Sequence, residues 1–211
     1  MAHLLVIGGT GYAGSNIVTE ALARGHQVTV LSRKPPVSAV AGADYRSGSV
    51  ADVTDEQLAA PDVVAVALSP RGDMEGRVRP AVADLAARIP AGTRLGVVGG
   101  AGGTRVAPDG PLLADTPEFP DFIQAEAREM IGVLDDLKAT PETLDWFLIN
   151  PAAGFIGDNP GERTGRYRDG GEVLVTGENG ESYISGPDFA VAFVDEIERP
   201  THHRRNFAVG Y

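Results

Sequence analysis

Hydrophobic and polar positions along this chain switch repeatedly between two periods. Short apolar runs rich in Val, Ile and Leu read as strands, and stretches with apolar residues three and four apart read as helices. Strands are expected at His3–Ile7, Gln27–Leu31, Asp44–Arg46, Val63–Leu68, Arg94–Val98 and Leu144–Ile149. Helices are expected at Tyr12–Arg24, Asp55–Ala59, Glu75–Arg88 and Phe122–Ala139. The stretch VRPAVADLAARI carries the clearest helical stripe, and Pro80 within it marks either a kink or the true start.

This alternation implies an α/β fold, a doubly wound, Rossmann-like parallel sheet with helices on both faces. After Asn150 the composition changes: NPAAGFIGDNPGERTGRYRDGG is rich in Gly, Pro and charge and reads as a long loop. EVLVTGENGESYIS then reads as a small hairpin, GPDFAVAFVDEIERP as a terminal helix with Pro187 near its start, and RNFAVGY as a last strand. The expectation is one domain over residues 1–211, with 151–211 forming a cap on the substrate side. Trp146 lies within a strand pattern and belongs in the core.

Composition then narrows the function. The 211 residues contain no cysteine, which excludes disulfides, thiolate catalysis and thiolate metal sites. The net charge of −11 disfavours nucleic acid, and Arg204-Arg205 is too short to make a basic patch. No apolar run approaches the ~18 residues of a membrane span, and no secretory leader is visible. The expectation is a cytoplasmic protein with a small-molecule substrate and neither nucleic-acid nor membrane partners; the sequence does not set the oligomeric state. Adjacent side chains diverge, so His202-His203 without a third spaced ligand predicts no metal site. His3 and His26 flank strands and read as edge residues.

The chemistry concentrates in LLVIGGTGYAGSNIVTEAL. A strand feeds a helix through Gly8, Gly9, Gly11 and Gly14, with two possible spacings, Gly9-x-Gly11-x-x-Gly14 or Gly8-x-x-Gly11-x-x-Gly14. Such a junction aims free backbone N–H groups and the positive helix end at one point, which suits a phosphate. A plain turn is the alternative. A second apolar strand about twenty residues on completes a βαβ unit and favours dinucleotide binding.

The cofactor turns on VLSRKP. An NAD site needs an acid at the end of the second strand to accept from the ribose hydroxyls. Here Ser32 is followed by Arg33 and Lys34, a hydroxyl beside two cations, which suits the 2′-phosphate of NADPH. A solvated basic loop is the alternative.

The segments VIGGTGYAGSNIV, SRKP and LDWFLINPA, with SGPDFAVAFVDEIERPTHHRRNFAVGY at the end, resemble the atypical short-chain dehydrogenase/reductases. The similarity is to their small, NmrA-like NAD(P)H-binding branch and covers almost the whole chain. It implies that Gly8, Thr10, Gly11, Tyr12 and Ala13 line the pyrophosphate and that Ser49 and Val50 flank the adenine. It further implies that Leu68, Ser69, Gly99 and Gly100 open onto the cofactor crevice, and that Pro151 and Ala152 border the nicotinamide. The chain departs from the branch at Ser49, where relatives often have Asp, and at Asn150, where many have Arg.

Short-chain reductases pair a tyrosine with a lysine four residues on. Neither lysine here can join such a pair, because Lys34 follows Val30 and Lys138 follows Leu134. The expected serine after the fifth strand is replaced by GGAGG. Catalytic residues are therefore unassigned, and the favoured reading is NADPH-dependent hydride transfer to a flat acceptor such as a flavin or quinone. Gly99 to Gly103 would let that ring approach. A non-enzymatic NADP(H) sensor and an epimerase-like enzyme are the alternatives. Asp115, Glu118 and Asp121 read as solvated loop acids, and Arg71 as a turn cap or an anion clamp.

Overall fold

The six strands predicted up to residue 149, and the last one at the C-terminal end, enter one sheet. The computed structural model describes residues 1–211 and contains β1 (His3–Ile7), β2 (Gln27–Ser32), β3 (Asp44–Ser47), β4 (Val63–Val66), β5 (Arg94–Val98), β6 (Trp146–Pro151), β7 (Arg168–Asp169) and β8 (Arg205–Gly210). Their order is β3-β2-β1-β4-β5-β6-β8-β7. Only the β7–β8 pair is antiparallel. The chain steps outward from β1 to β3 and then returns to β4 on the other side of β1. That reversal opens a crevice at the carboxyl ends of β1 and β4, where ligands of such sheets bind.

The helices are α1 (Tyr12–Ala23), α2 (Asp55–Ala59), α3 (Val78–Arg88), α4 (Gln124–Lys138) and α5 (Gly186–Glu198). Side chains of successive strand residues point to opposite faces, so β1 feeds two cores. Leu5 and Ile7 pack with α3 and α4 residues such as Leu85, Val133 and Leu137, while Leu4 and Val6 pack with Ile17 of α1 and Phe193 of α5. Burial on both faces explains why β1, β4 and β5 read as unbroken apolar runs. Trp146 is fully buried, as its strand pattern predicts.

Several boundaries move for identifiable reasons. The third helix begins at Val78 rather than Glu75, because Pro80 fits only its first turn. The fourth begins at Gln124, after a tight turn over Asp121–Ile123. The sixth strand runs on to Pro151, since β8 pairs with it as far as Pro151 opposite Val209. The expected C-terminal antiparallel pair and helix are present, but the pairing is placed differently. Glu172–Ser185 makes a turn, with the Gly177 N–H donating to Glu181 O, and forms no strand pair of its own. The antiparallel partners are β7 and β8, and α5 starts at a Ser185 cap that accepts from the Asp188 N–H.

Candidate functional site

The parallel strands bring the predicted positions to one edge. Gly8 follows β1, Ser32 ends β2, Ser49 and Val50 follow β3, Leu68 and Ser69 follow β4, Gly99 and Gly100 follow β5, and Pro151 and Ala152 lie at the end of β6. Thr10, Gly11, Tyr12 and Ala13 form the turn and first residues of α1.

The turn after β1 is tightly folded. Gly8 has φ +85°, its N–H donates to Leu31 O at 2.9 Å, and its carbonyl accepts from the Gly11 N–H at 3.1 Å. A Cβ at Gly8 would sit 2.4 Å from Ala67 O. No side chain caps α1, so the N–H groups of Tyr12, Ala13 and Gly14 point out of its start. The Tyr12 ring packs on Phe155 with centroids 4.9 Å apart, and its hydroxyl donates to Pro160 O. At Tyr12 it is therefore the backbone, not the hydroxyl, that can meet an anion.

Two glycines leave open space over this edge. A Cβ at Gly11 would meet only Gly8 O, at 3.4 Å, and one at Gly100 would meet nothing within 4 Å. Room above an uncapped helix start fits a dinucleotide phosphate.

At the end of β2, the Ser32 hydroxyl donates to Lys34 O at 2.8 Å. Arg33 is half exposed and lies 3.8 Å from Asp73, and Lys34 is exposed. The Ser49 N–H and hydroxyl both donate to Asp52, and these hydrogen bonds hold that carboxyl below its usual range. Val50 packs against the core under α3.

Over β4 the structure adds a residue that sequence reasoning missed. Glu126, in the first turn of α4, accepts from the Ser69 hydroxyl at 3.3 Å and pairs with the Arg71 guanidinium. No local pattern announces it, since 57 residues separate Ser69 from Glu126. Asp115 pairs with Arg128 at 2.7 Å, while Asp121 is exposed. The histidines are held elsewhere: His202 lies between Glu196 and Asp169 and stacks on Phe207, at the amino end of β8. His26 is buried rather than at an edge, its Nδ1 accepting from the Ala2 N–H.

The loop after β6 is pinned along α1 and α5. Arg163 donates twice to Glu20 of α1, each at 2.8 Å. Asp188 of α5 accepts from the Thr164 and Gly165 N–H groups and from the Tyr211 hydroxyl. Burial raises the Asp188 pKa, but hydrogen bonds led by Thr164 and Tyr211 outweigh it and hold the carboxyl below its usual range. No helix is long and apolar enough to cross a membrane.

Residues 8–200 match the NAD(P)H-binding family. The Bacillus subtilis protein YwnB is 35% identical, covering 97% of this chain and 96% of its own. A Streptococcus pneumoniae structure named "putative NADH-flavin reductase" is 33% identical with a TM-score of 0.88, over 100% of this chain and 99% of that one. A Bacteroides thetaiotaomicron structure named "putative epimerase" is 32% identical with a TM-score of 0.86, over 99% and 96%. With the glycine turn, the uncapped helix start and the strand order in agreement, the chain belongs to the NAD(P)H-binding family.

Proposed function

We propose that the protein is an NADPH-dependent oxidoreductase that delivers a hydride to a small flat acceptor, a flavin or a quinone. The observation that carries the acceptor class is that four of the five tyrosine hydroxyls donate to partners within the protein, and the fifth, Tyr45, sits on the edge strand β3, away from β4, β5 and β6. Tyr12 donates to Pro160 O, Tyr167 to Asp195, Tyr183 to Asn159 O and Tyr211 to Asp188 while accepting from Ser185, and Tyr45 accepts from the Val40 N–H. Burial, together with Asp195, pushes the Tyr167 hydroxyl well above its ordinary range, away from a neutral-pH proton donor. Acceptors that solvent can protonate need no such group.

Bound NADPH would supply the hydride; the chain supplies position. Gly8, Gly11 and the first N–H groups of α1 would hold the pyrophosphate, with Thr10, Tyr12 and Ala13 beside it. Ser32, Arg33 and Lys34 would hold the 2′-phosphate, and Ser49 and Val50 would flank the adenine. Leu68, Ser69, Gly99, Gly100, Pro151 and Ala152 would border the nicotinamide half. Phe122, 87% exposed before α4, and Ile156, 50% exposed after β6, add apolar surface on loops at this end of the sheet. A flat ring gains from such walls.

The test is NADPH oxidation against a panel of flavins, quinones, aldehydes and ketones. Turnover of flavins or quinones with little reaction of aldehydes and ketones supports the reading. Tight NADPH binding with no turnover of any acceptor would instead favour the second reading, a non-enzymatic NADP(H) sensor. The missing Tyr–Lys pair is the observation behind that alternative.

A further inference from the structure

The turn that leaves β4 carries a cation for which the proposed cofactor has no use. Arg71 Nε donates to one oxygen of the Glu126 carboxylate, and the other oxygen accepts from the Ser69 hydroxyl at 3.3 Å. One carboxylate thus holds the Arg71 head against the residues that follow β4, at the carboxyl edge of the sheet. Asp73, two residues on, lies 3.8 Å from Arg33 at the end of β2. The turn is therefore tied to β2 on one side and to the start of α4 on the other, across the strand ends where the crevice opens. Ala127, next to Glu126, packs on Gly102, where a Cβ would stand 2.7 Å from the Ala127 Cβ. The open space at Gly100 belongs to that same segment.

Arg71 is presented to solvent rather than enclosed. Its side chain is 68% exposed, and Nε is the only guanidinium nitrogen with a partner. A guanidinium donates along more than one edge, and the outer edge, made by the two Nη groups, remains free here. That edge matches a pair of phosphate oxygens, and Glu126 fixes its direction from behind. An arginine that only braces a turn spends these donors on backbone carbonyls, as Arg204 does with Thr140 O, Pro141 O and Leu144 O. Arg71 does not.

We infer that Arg71 is a specificity-determining residue for the acceptor, binding the phosphate of a flavin nucleotide through its free Nη edge. The phosphates of NADPH are already provided for, at the start of α1 and at Ser32–Lys34, so this anion belongs to the second ligand. The inference rests on the proposed hydride transfer from NADPH and narrows its acceptor to a flavin with a phosphorylated side chain.

Steady-state kinetics of the whole protein with NADPH test it, with riboflavin and its 5′-phosphate as acceptors. The two carry the same ring and differ only in the phosphate. The unmodified protein should show a KM for the 5′-phosphate about ten-fold below that for riboflavin, the scale of one charge-assisted hydrogen bond. Added salt should narrow the gap. Arg71→Ala should abolish it by raising the KM of the 5′-phosphate, with kcat and the KM values of riboflavin and NADPH within about two-fold. Arg71→Lys keeps the charge without the paired donors and should fall between. Equal KM values for the two flavins in the unmodified protein overturn the assignment whatever the variants do. An effect of Arg71→Ala that falls on both flavins alike, or on NADPH, also overturns it, as does reduction of quinones but of neither flavin; these results leave the hydride-transfer reading intact. No turnover of any acceptor would sink both.

Discussion

A Cβ built on Gly14 would lie 2.3 Å from the carbonyl oxygen of Gly8 and 2.8 Å from the Gly9 Cα. The first turn of α1 is thus pressed directly onto the backbone leaving β1. Gly11 has no such neighbour, with only Gly8 O at 3.4 Å. Packing requires Gly14, whereas no packed neighbour requires Gly11, as expected if its place is kept open for the proposed pyrophosphate. Gly14→Ala should cost about 1–3 kcal/mol of stability, as overpacking does. Gly11→Val should keep the melting temperature and lose NADPH binding. Full NADPH affinity in Gly11→Val would show that the turn only reverses the chain.

Cofactor preference should depend on Arg33 and Lys34. A hydrogen bond to a charged group contributes about 1.5–3 kcal/mol, so one or two should favour NADPH over NADH by roughly ten- to a thousand-fold. The double variant Arg33→Ala, Lys34→Ala should lose most of that preference. Asp73 now faces Arg33 at 3.8 Å, an exposed pair worth about 0–1 kcal/mol. Asp73→Asn should accordingly raise NADPH affinity a few-fold without altering NADH. Equal binding of both cofactors by the unmodified protein would refute the preference.

Tyrosine-to-phenylalanine variants address the missing acid. Tyr167→Phe and Tyr183→Phe remove hydroxyls that donate to Asp195 and Asn159 O. Both should leave flavin or quinone reduction within a few-fold of the unmodified protein. Brisk ketone reduction that vanishes with either change would reveal a proton donor and contradict the proposed acceptor class.

Acid should weaken the fold through Glu196. Burial raises its pKa, but hydrogen bonds from His202 and Arg94 outweigh it and hold the carboxyl at about 2 instead of 4.5. Because the folded value is the lower one, this stabilisation is present above about pH 4.5 and disappears as pH falls towards 2. A difference of this size corresponds to about 3 kcal/mol. Denaturant titrations between pH 7 and 3 should show the decline, and Glu196→Gln should be less stable at pH 7 with a flatter acid limb. An unchanged acid limb in that variant would remove Glu196 from the account.

The sequence by itself determined most of the elements and the sheet edge on which the glycine turn and the strand ends lie. Apolar runs such as Leu4–Ile7 and the stripe from Val78 to Ile89 report burial through local period, and the run from Gly8 to Gly14 marks a strand-to-helix turn. These signals are short-range: each is written within a few residues. The strand β7 was not legible, because Arg168 and Asp169 are exposed and become a strand only by pairing with Gly210 and Val209. Nor did residue type reveal that Glu126 would hold Ser69 and Arg71, that Asp73 would face Arg33, or that Asn150 would be enclosed without a partner. Those relationships join residues 40 to 57 positions apart, or depend on which strand lies beside β6, and only the packed sheet brings them together. Local periodicity encodes which face is buried, while the partners of a polar group depend on where distant segments come to rest.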